Sequence, residues 1–144
     1  AVPEMLEAIR ELRAAPPPDP ALPFVLMAGE RRSYNANQIF RDPAWRKTDR
    51  DGALRLHPAD AQALGLADGA AAKVSSATGA LAVVVELDDA MQRGTASLPH
   101  GYGQRYRGGP PCGPQLNRLT AGAHCDPFTR TPYHKYVPVR IEAA

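Results

Sequence analysis

Two groupings of side chains in this 144-residue chain have types and spacings suited to chemistry. The first is cationic. Arg31, Arg32, Arg41, Arg46, Lys47 and Arg50 crowd residues 29–50 against Glu30, Asp42 and Asp49, and Arg105, Arg107, Arg118, Arg130 and Lys135 occupy residues 101–135 against Asp126 alone. Most of the 17 lysines and arginines thus fall in two polar, loop-like stretches, an arrangement suited to an anionic ligand. The second grouping is Cys112, His124, Cys125 and Asp126. Its residue types suit a metal, but adjacent ligands such as His124 and Cys125 do not match the usual zinc spacings, and neither cysteine belongs to a C-x-x-C pair. Two cysteines are too few for a disulfide scaffold, and spacing alone leaves a Cys112 to Cys125 bridge open. Phe40 and Trp45 flank arginines, a pattern that elsewhere stacks single-stranded nucleic acid; the plainer reading is a pair of aromatic anchors packing a long loop.

These groups need a scaffold, and the periodicity indicates short strands. Residues 24–28 form a compact apolar run that reads as a buried strand stopped by Gly29, and a second strand is expected at 54–57. Pro58 then sits where the first turn of a brief helix accepts proline, with Asp60 near the positive end of its dipole, His57 in a structural role just before it and Gly65 as its stop. Strands at 70–76 and 80–88 meet at a hairpin tip around Thr78 and Gly79. Leu81, Val83, Val85 and Leu87 alternate on one face of the longer one, and Val84 on the other face predicts cover on part of both sides. Further strands are expected at 94–98 and 136–142, with a Gly-, Pro- and Arg-rich stretch between them. The expected fold is mainly β: a small barrel of six short strands, one intervening helix and long loops after the first and fifth strands.

Ahead of the barrel, Met5, Leu6, Ile9 and Leu12 give one apolar face to a short peripheral helix, ended by the proline-dense residues 14–23. The expected division is therefore residues 1–21 as N-terminal helix and proline-rich linker and residues 22–142 as the barrel. The composition, 44% hydrophobic and 22% charged, is that of a globular chain. The net charge of +2 is too small to suggest nucleic acid by itself. No apolar run is long enough to span a bilayer and no signal-peptide pattern is present, so a soluble chain is expected, with the cytoplasm slightly favoured.

One further pattern joins the loops. Gly29-Glu30-Arg31-Arg32-Ser33-Tyr34-Asn35-Ala36-Asn37 is followed by Leu56-His57-Pro58-Ala59-Asp60-Ala61 with Gly65-Leu66-Ala67-Asp68-Gly69, then by Ser97-Leu98-Pro99-His100-Gly101. Asn117-Arg118-Leu119-Thr120, Asp126-Pro127 and the run from Thr131 through Tyr133-His134-Lys135-Tyr136 to Glu142 complete it. In this order the segments resemble the C-terminal molybdopterin-dinucleotide-binding domain of the molybdenum and tungsten oxidoreductases related to dimethyl sulfoxide reductase, formate dehydrogenase and nitrate reductase, with the last run most similar to the formate dehydrogenase branch. The resemblance covers about residues 22–142. It implies a six-stranded double-psi β-barrel whose loops help to hold molybdopterin guanine dinucleotide, with Mo or W bound in the full enzyme.

Carried over by position, the resemblance implies cofactor contacts from Glu30, Ser33 and Asn35 after the first strand, His100 and Gly101 after the fifth, and Asn117, His134 and Lys135 near the end. Asn and Glu offer the donors and acceptors that a pterin or guanine edge requires, while glycine amides and cations suit a pyrophosphate. Each residue also has a plainer reading. Glu30 pairs locally with Arg31 and Arg32, Asn35 and Asn117 brace turns, His100 is an exposed turn residue, and His134 with Lys135 is a solvated lead into the last strand. No catalytic residue and no metal ligand is expected here. The metal ligand and any iron–sulfur cluster are expected in other domains of the parent enzyme, the main partners, so the chain is not expected to be active in isolation. The alternatives are a free-standing small subunit that completes a partner chain's molybdopterin site and, more remotely, a nucleic-acid-binding barrel.

Overall fold

The computed structural model describes residues 2–12, 19–30, 52–105, 107–123 and 125–144, residues 12 and 30 by backbone alone. The cationic residues 31–50, with Phe40 and Trp45, and residues 14–18 of the proline-rich stretch lie outside the described residues. Six strands close a barrel in the order β1-β5-β2-β4-β3-β8: β1 (Phe24–Glu30), β2 (Leu54–Leu56), β3 (Ala71–Ser75), β4 (Ala80–Leu87), β5 (Thr95–Pro99) and β8 (Val137–Ala143). A separate two-stranded sheet joins β6 (Gln104–Arg105) to β7 (Pro111–Cys112). Sequence reasoning takes that segment for loop, since two-residue strands leave no periodicity to detect. Among the described residues the α-helices are α1 (Pro3–Leu12) and α2 (Pro58–Ala63), as expected at both places.

Alternation explains the core. Leu81, Val83 and Val85 of β4 turn inward and are buried, as are Leu26 of β1, Leu54 and Leu56 of β2, Leu98 of β5 and Val139 and Ile141 of β8. Each fully buried side chain of this size contributes roughly 1.5–3 kcal/mol. The expectation for Val84 fails: it is 46% exposed, because a closed barrel has one interior and the other face of β4 looks outward. α1 is peripheral, with Met5, Leu6 and Ile9 all exposed.

Strand direction decides where the loops gather. β1 runs parallel to β5 and β2 parallel to β4, whereas the remaining neighbours are antiparallel. One barrel end therefore carries the last residues of β1, β3 and β5 and the first residues of β2, β4 and β8. β1 does not stop at Gly29, as its sequence suggests. It runs on to Glu30 through a register shift: Ala28 pairs with Leu98, Glu30 with Pro99, and Gly29 takes φ +85° between them. A left-handed glycine of this kind forms a bulge that bends the strand at little steric cost.

The opposite end is closed by α2. His57 caps it, Nδ1 accepting from the Ala59 amide at 3.0 Å, which confirms the structural role expected for that residue. The helix ends with Gly65 at φ +69°, the Gly65 amide donating to the Gln62 carbonyl at 3.0 Å and the Leu66 amide to the Ala61 carbonyl at 2.8 Å. This double bond pattern satisfies carbonyls that a short helix leaves open. Asp60 does more than complement the helix dipole. It is buried, and its carboxylate accepts from the Gly94 amide at 2.7 Å and from Arg93 Nε at 3.0 Å. The Gly94 carbonyl in turn accepts from the Val25 amide at 3.0 Å. α2 is thereby fastened to the turn that starts β5 and, through it, to β1.

Burial pushes the Asp60 carboxyl up, but the Gly94 amide, the Arg93 hydrogen bond and the Arg93 charge together hold it below the usual aspartate value. With a depressed folded-state pKa, its contribution is complete above the unfolded value of about 3.9 and is lost as pH falls through the lower folded value. Asp60→Asn should therefore lower stability by about 1–2 kcal/mol near neutral pH and leave a flatter acid limb below about pH 4. Urea unfolding of both proteins across that range checks it; parallel acid limbs would show that the Asp60 charge is not linked to folding.

Candidate functional site

The loops at the β1 and β5 exits meet. A Cβ on Gly29 would overlap the His100 ring, so the bulge lets the imidazole lie directly over the backbone of β1. His134 approaches from the other side. Its ring stands edge-on to that of His100, with centroids 6.4 Å apart and an interplanar angle of 85°. The His134 carbonyl accepts from the Ala28 amide at 2.8 Å, and Lys135 Nζ donates to the Gly29 carbonyl at 3.2 Å. Residues 134–135 thus extend the β1·β8 edge beyond its regular pairing and clamp the exit of β1. An ammonium has three N–H donors, so the bond to Gly29 leaves Lys135 the capacity to meet an anion as well.

A cleft of about 220 Å³ opens beside His100. Its walls are His100, Gly101 and Tyr102 from the chain leaving β5, Gln104 of β6, and Gln115 and Asn117 around a 3₁₀ turn (Leu116–Arg118). At this volume it suits one ring or edge of a larger ligand, since whole-ligand pockets run from about 300 Å³ upward. Among the described residues no Lys, Arg, Asp or Glu lines it. Gly101, at φ +89°, turns the chain away from β5 at the mouth. A second cavity of about 280 Å³ beside His134 is apolar, walled by Leu22, Leu119, Ala121, Val137 and Pro138.

The structure therefore brings His100, Gly101, Asn117, His134 and Lys135, with the backbone of Glu30, to one barrel end. Ser33 and Asn35 lie outside the described residues, as does the side chain of Glu30. The plainer reading of Asn117 as a turn brace is not what the geometry shows: its side chain makes no hydrogen bond to another described residue. His134 and Lys135 are likewise bound to β1 rather than merely solvated. Sequence reasoning missed Tyr102, Gln104 and Gln115. The signal available for them was slight, one polar or aromatic residue beside a glycine or proline within a stretch rich in both.

Cys112 and Cys125 are not joined by a disulfide, and among the described residues no three His, Cys, Asp or Glu converge as a metal would require; His124 lies outside them. Asp126 instead braces its own turn, accepting from the amides of Phe128 at 3.1 Å and Thr129 at 2.7 Å and from Thr129 Oγ1 at 2.9 Å. Those bonds, led by the Thr129 amide, hold its carboxyl below the usual aspartate value. Among the described residues no helix is long and apolar enough to cross a membrane.

Comparison with known proteins agrees with this fold. Of the curated proteins, none matches by sequence. Among solved structures, acetylene hydratase from Pelobacter acetylenicus superposes with a TM-score of 0.72 at 24% identity, over 85% of this chain and 18% of that one. The chain thus spans under a fifth of that protein's length, and the likeness establishes the fold: a closed six-stranded barrel of the double-psi kind expected. The family model described as "Molydopterin dinucleotide binding domain" matches residues 24–138, from the first residue of β1 into β8. The chain belongs to the molybdopterin dinucleotide-binding domain family.

Proposed function

We propose that this chain is the domain that closes on molybdopterin guanine dinucleotide in a formate dehydrogenase-like molybdenum or tungsten oxidoreductase, and that it holds the cofactor without supplying the metal ligand. The observation that carries this reading is the convergence at one barrel end of four segments far apart in sequence: the β1 exit, residues 100–104, residues 115–117 and residues 134–135. The donor set fits such a group. Carboxamides offer paired donors and acceptors to a heterocycle edge, the imidazoles of His100 and His134 add further polar contacts, and Lys135 with the exposed Arg105, Arg118 and Arg130 offers positive charge to a pyrophosphate. When bound, the cofactor supplies two-electron redox chemistry at its metal. The chain's residues bind it, orient it and keep water from one flank.

The formate dehydrogenase branch is supported by the run Thr131-Pro132-Tyr133-His134-Lys135-Tyr136, whose histidine and lysine form the β1 clamp. The barrel itself does not choose the reaction, for the superposing relative is by name a hydratase. The metal ligand, any iron–sulfur cluster and the residues that select the substrate belong, on this reading, to the rest of a longer enzyme.

Two measurements on the purified holoenzyme test the site. Asn117→Ala should weaken cofactor retention roughly tenfold with little change in thermal midpoint, since its side chain has no described partner to lose; Lys135→Ala should do the same with an added cost of about 1 kcal/mol for the Gly29 bond. Normal metal and pterin content in both variants overturns the assignment. Gly29→Ala should lower the midpoint by the equivalent of about 1–3 kcal/mol through its positive φ and also lose cofactor, because the His100 ring must move. Gly69→Ala is the control: it has the same backbone sign, φ +77°, but open space around it, so strain appears without cofactor loss.

A further inference from the structure

We propose that the tip of the β3–β4 hairpin, Thr78 with Gly79, positions Asn117 by pinning the carbonyl of Arg118; the inference rests on the proposed function. Sequence reasoning gives Thr78 and Gly79 no role beyond the turn itself. In the structure the tip, at the barrel end where β3 finishes and β4 begins, lies against the 3₁₀ turn that carries Asn117.

Two contacts fix the spacing, one attractive and one steric. The Thr78 amide donates to Ser76 Oγ at 3.1 Å, Ser76 Oγ lies 2.9 Å from Thr78 Oγ1, and Thr78 Oγ1 donates to the Arg118 carbonyl at 3.3 Å. Each hydroxyl has one proton to give, so the chain runs one way, from Ser76 to Thr78 and from Thr78 to Arg118. The Ser76 amide donates to the Gly79 carbonyl at 2.8 Å, which closes the tip around Thr78. Gly79 supplies the steric stop. A Cβ there would come within 2.7 Å of the Arg118 carbonyl oxygen, closer than side chains approach backbone. Its φ lies outside the left-handed region, so the backbone conformation does not call for glycine here; the Arg118 carbonyl does.

The turn needs such a pin. Leu116 and Leu119, three positions apart, fall on one side of a 3₁₀ turn and are both buried, which leaves Asn117 and Arg118 outside. Within the turn the Arg118 amide donates to the Gln115 carbonyl at 3.0 Å and the Leu119 amide to the Leu116 carbonyl at 2.9 Å. The last carbonyls of so short a turn have no partner inside it, and that of Arg118 is the one Thr78 takes. Packing on that side gives less support: Ala77, Thr78, Leu119 and Thr120 border the apolar cavity of about 280 Å³, so a turn released from the hairpin has room to move. Asn117 is bonded directly to Arg118. A shift of the Arg118 carbonyl therefore carries the Asn117 carboxamide away from its place in the wall of the cleft beside His100.

The test is a double-mutant cycle in the purified holoenzyme, read as the rate at which pterin is released on dilution, with the thermal midpoint measured alongside. Thr78→Val keeps the side-chain shape and removes the hydroxyl. It should speed release about threefold with little change in midpoint, because the bond it loses is exposed, while Thr78→Ser keeps the normal rate. Gly79→Ala should approach the roughly tenfold effect of Asn117→Ala without exceeding it. The deciding result is the combination: in the Asn117→Ala background neither hairpin substitution speeds release further, since each acts through a side chain already removed. Normal release from both Thr78→Val and Gly79→Ala, release from Thr78→Ser as fast as from Thr78→Val, or effects that add in full to that of Asn117→Ala overturns the inference. If Gly79→Ala does not fold, Thr78→Val and Thr78→Ser complete the cycle alone. Failure of the proposed site is distinct: pterin lost from Asn117→Ala but held by the hairpin variants removes only the hairpin's role, whereas pterin held by Asn117→Ala sinks the site and this inference with it.

Discussion

Everything at the candidate site depends on the parallel pairing of β1 with β5. Val25, Leu26, Met27 and Ala28 lie opposite Thr95, Ala96, Ser97 and Leu98, so the two strands finish side by side. Parallel neighbours cannot be joined by a tight hairpin, and β2, β3 and β4 all intervene in the chain. The consequence is that loops separated by some seventy positions in sequence leave the barrel at one place. The bulge at Gly29 then bends β1 so that its exit passes under His100, and the clamp by His134 and Lys135 fixes that bend from the β8 side. A different register between β1 and β5 would part the glycine from the imidazole that occupies its missing side chain.

The α2 anchorage and the candidate site lie at opposite ends of the same barrel. The Asp60 carboxylate joins α2 to the turn before β5, and the Gly94 carbonyl passes that anchorage to the start of β1. This end is closed by short, internally satisfied bonds, and its titratable group is held ionised by its partners. The other end keeps its carboxamides solvated and its cations exposed. Such a division lets the site carry polar groups with spare hydrogen-bonding capacity while the barrel is held at the far rim, which is how a rigid scaffold supports loops specialised for binding.

The polar rim is itself graded. Lys135 meets the Gly29 carbonyl, and beside His100 lies a cleft lined by amides, with no charged side chain among its described walls. Beside His134 lies a third environment, apolar and walled by leucine, valine and proline side chains. One histidine pair thus stands where charged, amide-bearing and apolar surfaces meet, a junction suited to a ligand whose parts differ as strongly as a heterocycle, a pyrophosphate and a sugar do.

Much of this was legible in the residues themselves. Alternation at Leu81, Val83 and Val85, the proline and glycine bounding α2, and the hairpin at Thr78 and Gly79 follow from local rules of period and turn chemistry, and they held. The ordered loop segments, through the family resemblance, name His100, Gly101, Asn117, His134 and Lys135, which the fold gathers at one barrel end. Val84 was misread because alternation tells which residues share a face but not which faces are covered. Asp60 was read as a helix-dipole residue because its true partners, Arg93 and Gly94, lie more than thirty positions away and only barrel closure brings them near. The same holds for the site: sequence determined the strands, their inward faces and the residue types in the loops, whereas Gly29 beneath His100, the Lys135 clamp and the cleft of Gln104, Gln115 and Asn117 were decided by tertiary structure, since each is a contact made by strand direction and register across a closed sheet.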